Sequence, residues 1–146
     1  TFISSTFWTE KIGYVAALKT LEEMEKIKSW KIITDKGHQI RKKWTKLANK
    51  YNLRIEFMGI PAISSFFIKS KNFVKYKTLI TQELLKDSIL ASNVIYFSTK
   101  HSQTMIDKYM ISLERVFKLI AECENGRNID QLLETKISQN FFQRLN

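Results

Sequence analysis

Residues 53–68 read LRIEFMGIPAISSFFI. Leu53, Ile55 and Phe57 alternate with Arg54 and Glu56. Period two is the pattern of a strand with one buried face. Gly59 and the chain's only proline, Pro61, come next. They mark a turn into a second strand, AISSFFI. This hairpin decides the fold class, because the flanking segments repeat at helical spacing and would otherwise suggest a bundle.

On the N-terminal side, Ile33, Gly37, Ile40, Trp44, Leu47 and Tyr51 alternate spacings of four and three. They predict a helix over 29–51. Lys36, Arg41, Lys42, Lys43, Lys46 and Lys50 fall mostly off that seam. Gly37 costs helix propensity, about 1 kcal/mol relative to Ala, so it predicts close packing or a kink. Tyr14, Leu18, Leu21 and Met24 form the stripe of an earlier helix over 9–27. Thr6 or Thr9 could cap it, since a hydroxyl accepts from the free amides of a first turn.

On the C-terminal side the pattern predicts a short helix over 72–86 and a strand in SNVIYFST (92–99). A strong helix over 102–123 follows, carrying Ile106, Met110, Leu113, Phe117 and Ile120. Gly126 is placed to cap its end. The tail, residues 129–146, holds one short helix and an apolar end. The order is α-α-β-β-α-β-α. It predicts a two-layer α+β domain, with a three-stranded, mostly antiparallel sheet packed on helices and a long N-terminal helix.

The 146 residues suit one domain. No apolar run approaches the roughly 18 residues of a membrane span, and the start lacks the pattern of a signal peptide. A single cysteine, Cys123, excludes an internal disulfide and points to a reducing cytoplasm. The net charge of +10 attracts polyanions in general, but the excess is mostly lysine, which solvated faces explain.

Candidates for chemistry are few. His38 and His101 stand in no metal-ligand pattern. Cys123, at a helix end, reads as an inert thiol. No Walker loop or dinucleotide fingerprint occurs. Glu22, Glu23 and Glu25 fit a solvated helix face. The segments IRKKWTKLANKYNLR (40–54) and FFIKSKNFVKYK (66–77) interleave cations with aromatics, as single-strand binders do. Trp44 and Tyr51, however, belong to the apolar seam and are expected in the core. A stand-alone basic module binding nucleic acid or another polyanion is therefore the alternative reading, and a scaffold or dimerisation domain a third. A chain with no initiator Met that starts inside a motif is expected to be a fragment.

The opening, TFISSTFWTEKIGYVAALKTLEEM (1–24), resembles a segment of class III, fold-type I pyridoxal-phosphate aminotransferases, nearest the glutamate-1-semialdehyde aminomutase-like group. There a Gly/Ser-Thr pair precedes a helix reading A-A-x-x-x-L-E. Here Ser5-Thr6 precedes VAALKTLEEM in the same register. LRIEFMGIPAISSFFI resembles the family's strand-Gly-x-Pro-strand piece. SNVIYFSTKHSQTMIDKYMISLERVFKLI (92–120) resembles its strand, His-Ser/Thr element and Asp-x-Tyr helix. FQRLN (142–146) resembles a Phe-x-Arg-Leu ending. Four matches in the family's order cover about the whole chain.

The resemblance implies a C-terminal small domain over 28–146, with residues 1–27 forming a cofactor-phosphate loop and a helix leading out of a large domain. It implies pyridoxal 5'-phosphate in the intact enzyme, and a homodimer acting on an amino donor and a carbonyl acceptor, as in surface-polysaccharide or amino-sugar metabolism. The Schiff-base lysine, the Asp partner of the pyridine nitrogen and the phosphate turn would lie outside these residues. The chain alone would then be inactive and would not hold the cofactor tightly. Ser5 and Thr6 map onto the residues that reach the phosphate of the neighbouring subunit's cofactor. A hydroxyl before the positive end of a helix suits that contact physically. Thr9-Glu10-Lys11 stands where many relatives have Gly-Asn-Pro, so the substrate side of that loop differs here. Ser64, Ser65 and Phe66 are expected either to face the cleft or to be buried in their strand. No membrane contact is implied, and nucleic acid is not expected as a partner.

Overall fold

The computed structural model describes residues 10–138. Four helices and a three-stranded sheet follow in the order α1 (Ile12–Ile27), α2 (Ser29–Lys50), β1 (Ile55–Met58), β2 (Ile63–Ile68), α3 (Phe73–Lys86), β3 (Val94–Tyr96) and α4 (Gln103–Glu124), with a short 3-10 turn at Ile129–Gln131. The sheet is antiparallel in the order β1-β2-β3. The α+β class and the element order are as the sequence predicts.

The hairpin register explains why the sequence alternates. Ile55 pairs with Ile68, and Phe57 with Phe66. Ser64 pairs with Ile95. These residues share the face turned to the helices, and Ser64, Phe66 and Ile68 are buried. The core gathers on that face. Trp44 of α2 is fully buried and meets Phe66 edge-on at 4.8 Å, while Phe66 meets Phe117 of α4 at 5.6 Å. Such pairs add about 0.5–1.5 kcal/mol beyond area burial. The Trp44 indole N–H donates to the Tyr109 hydroxyl at 3.1 Å, so the largest core side chain keeps no unpaired donor.

Gly37 resolves as close packing. A Cβ there would stand 1.8 Å from the Pro61 carbonyl oxygen, so only glycine lets α2 touch the β1–β2 turn. Arg41, one turn further on, fastens the same turn. Its Nε donates to Ser64 Oγ at 3.0 Å and its Nη2 to the carbonyls of Gly59 (2.7 Å) and Met58 (3.2 Å).

Helix ends differ from expectation at the start of α1. Its N-cap is Lys11, with no side-chain bond to the first turn. Thr6 and Thr9 lie outside the described residues. Only Lys28, in the left-handed region at φ 51°, separates α1 from α2. The end of α4 behaves as Gly126 predicts. Gly126 sits at φ 107°, its N–H reaches Cys123 O (3.1 Å), and the Arg127 N–H reaches Glu122 O (3.0 Å). This is a Schellman closure, which needs a residue that tolerates positive φ.

Candidate functional site

The two residues assigned to cofactor phosphate, Ser5 and Thr6, lie outside the described residues, as does the terminal FQRLN. The helix that follows them is described, and its surface is informative. No residue of α1 is buried. Tyr14, Leu18 and Leu21 keep 64%, 63% and 61% of their surface in solvent. An amphipathic helix gains its stability by burying its stripe, and here nothing in the described residues covers it. The sheet has a second open face. Met58, Ile63, Phe67 and Tyr96 project away from the core and are exposed.

The β2 candidates resolve as structural. Ser64 is fully buried, donating to Pro61 O at 2.7 Å and accepting from Arg41. Phe66 is core. Ser65 donates across the hairpin to Met58 O at 3.1 Å. Of the two expectations for these residues, burial in the strand holds for Ser64 and Phe66. Trp44 is likewise inside the core, so the aromatic–cation segment 40–54 offers no tryptophan for stacking on a base. Three of its six cations are also engaged. Lys43 pairs with Asp107 at 3.0 Å, Lys50 pairs with Glu114, and Arg41 is spent on the turn. Cys123 is buried, and burial pushes its thiol pKa up, away from the thiolate.

The loop between β3 and α4 holds the most organised polar geometry. The Lys36 ammonium donates to three backbone carbonyls: Ser98 (3.3 Å), Thr99 (2.9 Å) and His101 (2.6 Å). The Ser98 N–H donates to His101 Nδ1 at 3.1 Å, so in the neutral ring the hydrogen is on Nε2. Ser102 then caps α4, its hydroxyl accepting from the Met105 N–H at 3.2 Å. Sequence reasoning placed Lys36 among solvated cations. Carbonyl acceptors leave no side-chain signature, so nothing in the sequence marked this contact.

Beside the loop lies a cleft of about 540 Å³ between β3, residues 88–91 and the first turns of α4. Ser88, Tyr96, His101, Lys108 and Tyr109 contribute its polar side chains, and no carboxylate lines it. No helix among the described residues is long and apolar enough to cross a membrane.

No protein-family model matches the chain. Over 81 residues it is 30% identical to 3-aminobutyryl-CoA aminotransferase of Cloacimonas acidaminovorans (strain Evry), a match covering 56% of this chain and 20% of the relative. Its fold matches that of the FumI protein of Sphingopyxis sp. MTA144, solved in its PLP internal aldimine form. The TM-score is 0.73 at 14% identity, over 91% of this chain and 33% of the other. This chain resembles part of a pyridoxal-phosphate aminotransferase. It spans a fifth of the length of one comparison protein and a third of the other. Neither comparison bears on the aminomutase-like subgroup.

A complete pyridoxal-phosphate site needs a lysine for the Schiff base, an acidic or basic partner for the pyridine nitrogen and donors for the phosphate. The described residues do not fit the whole group. The cleft offers Lys108 but no carboxylate. Of the described glycines, Gly37 is pressed against Pro61 and Gly126 closes α4, so neither builds a phosphate turn.

Proposed function

We propose that this chain is the C-terminal small-domain part of a pyridoxal-phosphate-dependent aminotransferase. The observation that carries it is the uncovered stripe of α1. A 16-residue helix with Tyr14, Leu18, Leu21 and Met24 in solvent is marginal by itself. It becomes reasonable as the connection to a larger body that covers it. The much longer comparison proteins supply the precedent for such a body.

On this reading, residues 1–27 lead out of a large domain and residues 28–146 form the small domain. The chain contributes closure over the substrate, part of a homodimer contact, and Ser5 and Thr6 as ligands to the phosphate of the neighbouring subunit's cofactor. The cofactor would supply the electron sink for amino-group transfer, and the residues that bind it covalently would lie outside this chain. The amino donor and the carbonyl acceptor are then chosen largely elsewhere. Surface-polysaccharide or amino-sugar metabolism, in a cytoplasmic setting, is the context the aminomutase-like resemblance suggests.

The decisive test is the reading frame upstream of Thr1. We expect it to encode several hundred further residues, including a strand-borne lysine. In keeping with that, the 146-residue chain mixed with pyridoxal phosphate should keep no aldimine absorbance after desalting. A stop codon directly upstream, or a retained aldimine, would overturn the proposal.

A further inference from the structure

The cleft between β3 and α4 has features that the aminotransferase reading does not use. Its volume, about 540 Å³, falls in the roughly 300–1,000 Å³ range of small-molecule sites. Its floor is apolar: Ile106 is buried, and Ile89 and Ile95 are half-buried. Its polar side chains, Ser88, Tyr96, His101, Lys108 and Tyr109, can all donate, and none is a carboxylate. Lys108 makes no ion pair among the described residues, whereas neighbouring Lys86 and Arg115 are each paired to carboxylates. His101 keeps a hydrogen on Nε2, because Nδ1 is occupied by Ser98.

Tyr109 is the sharpest of these. It is buried, and its oxygen accepts from Trp44. Its own proton has no acceptor among the described residues. A buried donor left unmade costs about 1–3 kcal/mol, so this hydroxyl favours an acceptor brought in from outside. Burial also pushes its pKa up, which keeps it a donor throughout the physiological range.

We infer that this cleft binds a small amphipathic anion, with an apolar body on Ile89, Ile95 and Ile106 and a carboxylate met by Lys108, His101 and Tyr109. Charge complementarity selects the occupant. One unpaired cation, the His101 Nε2–H and the hydroxyls of Tyr109, Tyr96 and Ser88, with no lining carboxylate, favour an acidic head group over an amine. A second copy of the chain or another polypeptide covering the cleft would need no such head group. The inference does not depend on the cofactor, so it can fail while the aminotransferase reading stands.

Octanoate and octan-1-ol, titrated separately into the full chain and followed by methyl NMR, test it. Octanoate should shift the Ile89 and Ile106 methyl signals saturably, with a Kd of about 1 mM or tighter, as roughly ten non-hydrogen atoms allow. Lys108→Glu should weaken octanoate about five- to tenfold while leaving octan-1-ol within about twofold. Lys108 is exposed, so the variant keeps the core, and an unchanged thermal midpoint checks this. Saturable binding that ignores Lys108→Glu would overturn the inference. So would shifts confined to the open sheet face, or Ile89 and Ile106 signals that move on dilution of the chain alone.

Discussion

At Gly37 a single hydrogen in place of a methyl group sets how closely α2 approaches the hairpin. The blocking atom, Pro61 O, is backbone and is also held by the Ser64 hydroxyl at 2.7 Å, so it cannot easily move aside. Gly37→Ala should therefore destabilise the chain by about 2–3 kcal/mol, despite alanine's better helix propensity. The midpoint of urea unfolding measures it, and a neutral or stabilising result would show that the turn yields. Tyr76 gives a pH signature. Burial first, then its hydrogen bond to Glu124, raises its pKa from 10.0 to about 12. A folded pKa above the unfolded one means the contribution is whole below pH 10 and is lost as pH rises from 10 to about 12. Tyr109 shifts in the same direction. Stability should thus fall across that window, and Tyr76→Phe should make the fall shallower. An unchanged slope in the variant would mean that Tyr76 titrates normally.

Among the elements, the loop from β3 to α4 depends on a helix 60 residues earlier. Lys36 gathers three of its carbonyls, and hydrogen bonds to a charged group contribute about 1.5–3 kcal/mol. Lys36→Met keeps the stem and removes the ammonium. Amides 98–102 should then exchange with solvent at least tenfold faster, while those of α3 stay as they were. Uniform acceleration would instead indicate global destabilisation. The periodic elements were legible from sequence because burial repeats at fixed spacing: the α2 seam through Ile40, Trp44 and Leu47, and the alternation of Ile55 and Phe57. Strand ends were not. The stretch 92–99 reads as one strand, yet only Val94–Tyr96 qualifies, because beyond Phe97 the backbone carbonyls turn to Lys36. Nor was the donor set of the cleft legible. His101, Lys108 and Tyr109 line one cleft only because residues 88–91 and β3 come back beside the start of α4. Ser5 and Thr6 rest on resemblance alone, since no contact among residues 10–138 bears on them.

For the whole molecule, the uncovered stripe of α1 and the open sheet face make the isolated chain adhesive. Exposed apolar patches of this kind mark interfaces. We expect concentration-dependent self-association in sedimentation. Leu18→Glu with Leu21→Glu should reduce it and shift the thermal midpoint little, because neither side chain is buried. A large loss of stability in the double variant would mean that the stripe is covered within the chain. The junction at Lys28 has a mechanical consequence. α1, with 16 residues, is roughly 24 Å long, and it is joined to α2 through one residue in a conformation that non-glycine residues rarely adopt. It is a lever with its fulcrum at Lys28. A swing of roughly 10° there would carry the far end of α1 by roughly 4 Å, more than the length of a hydrogen bond. The torsion of one lysine therefore sets the aim of whatever the tip of that lever presents.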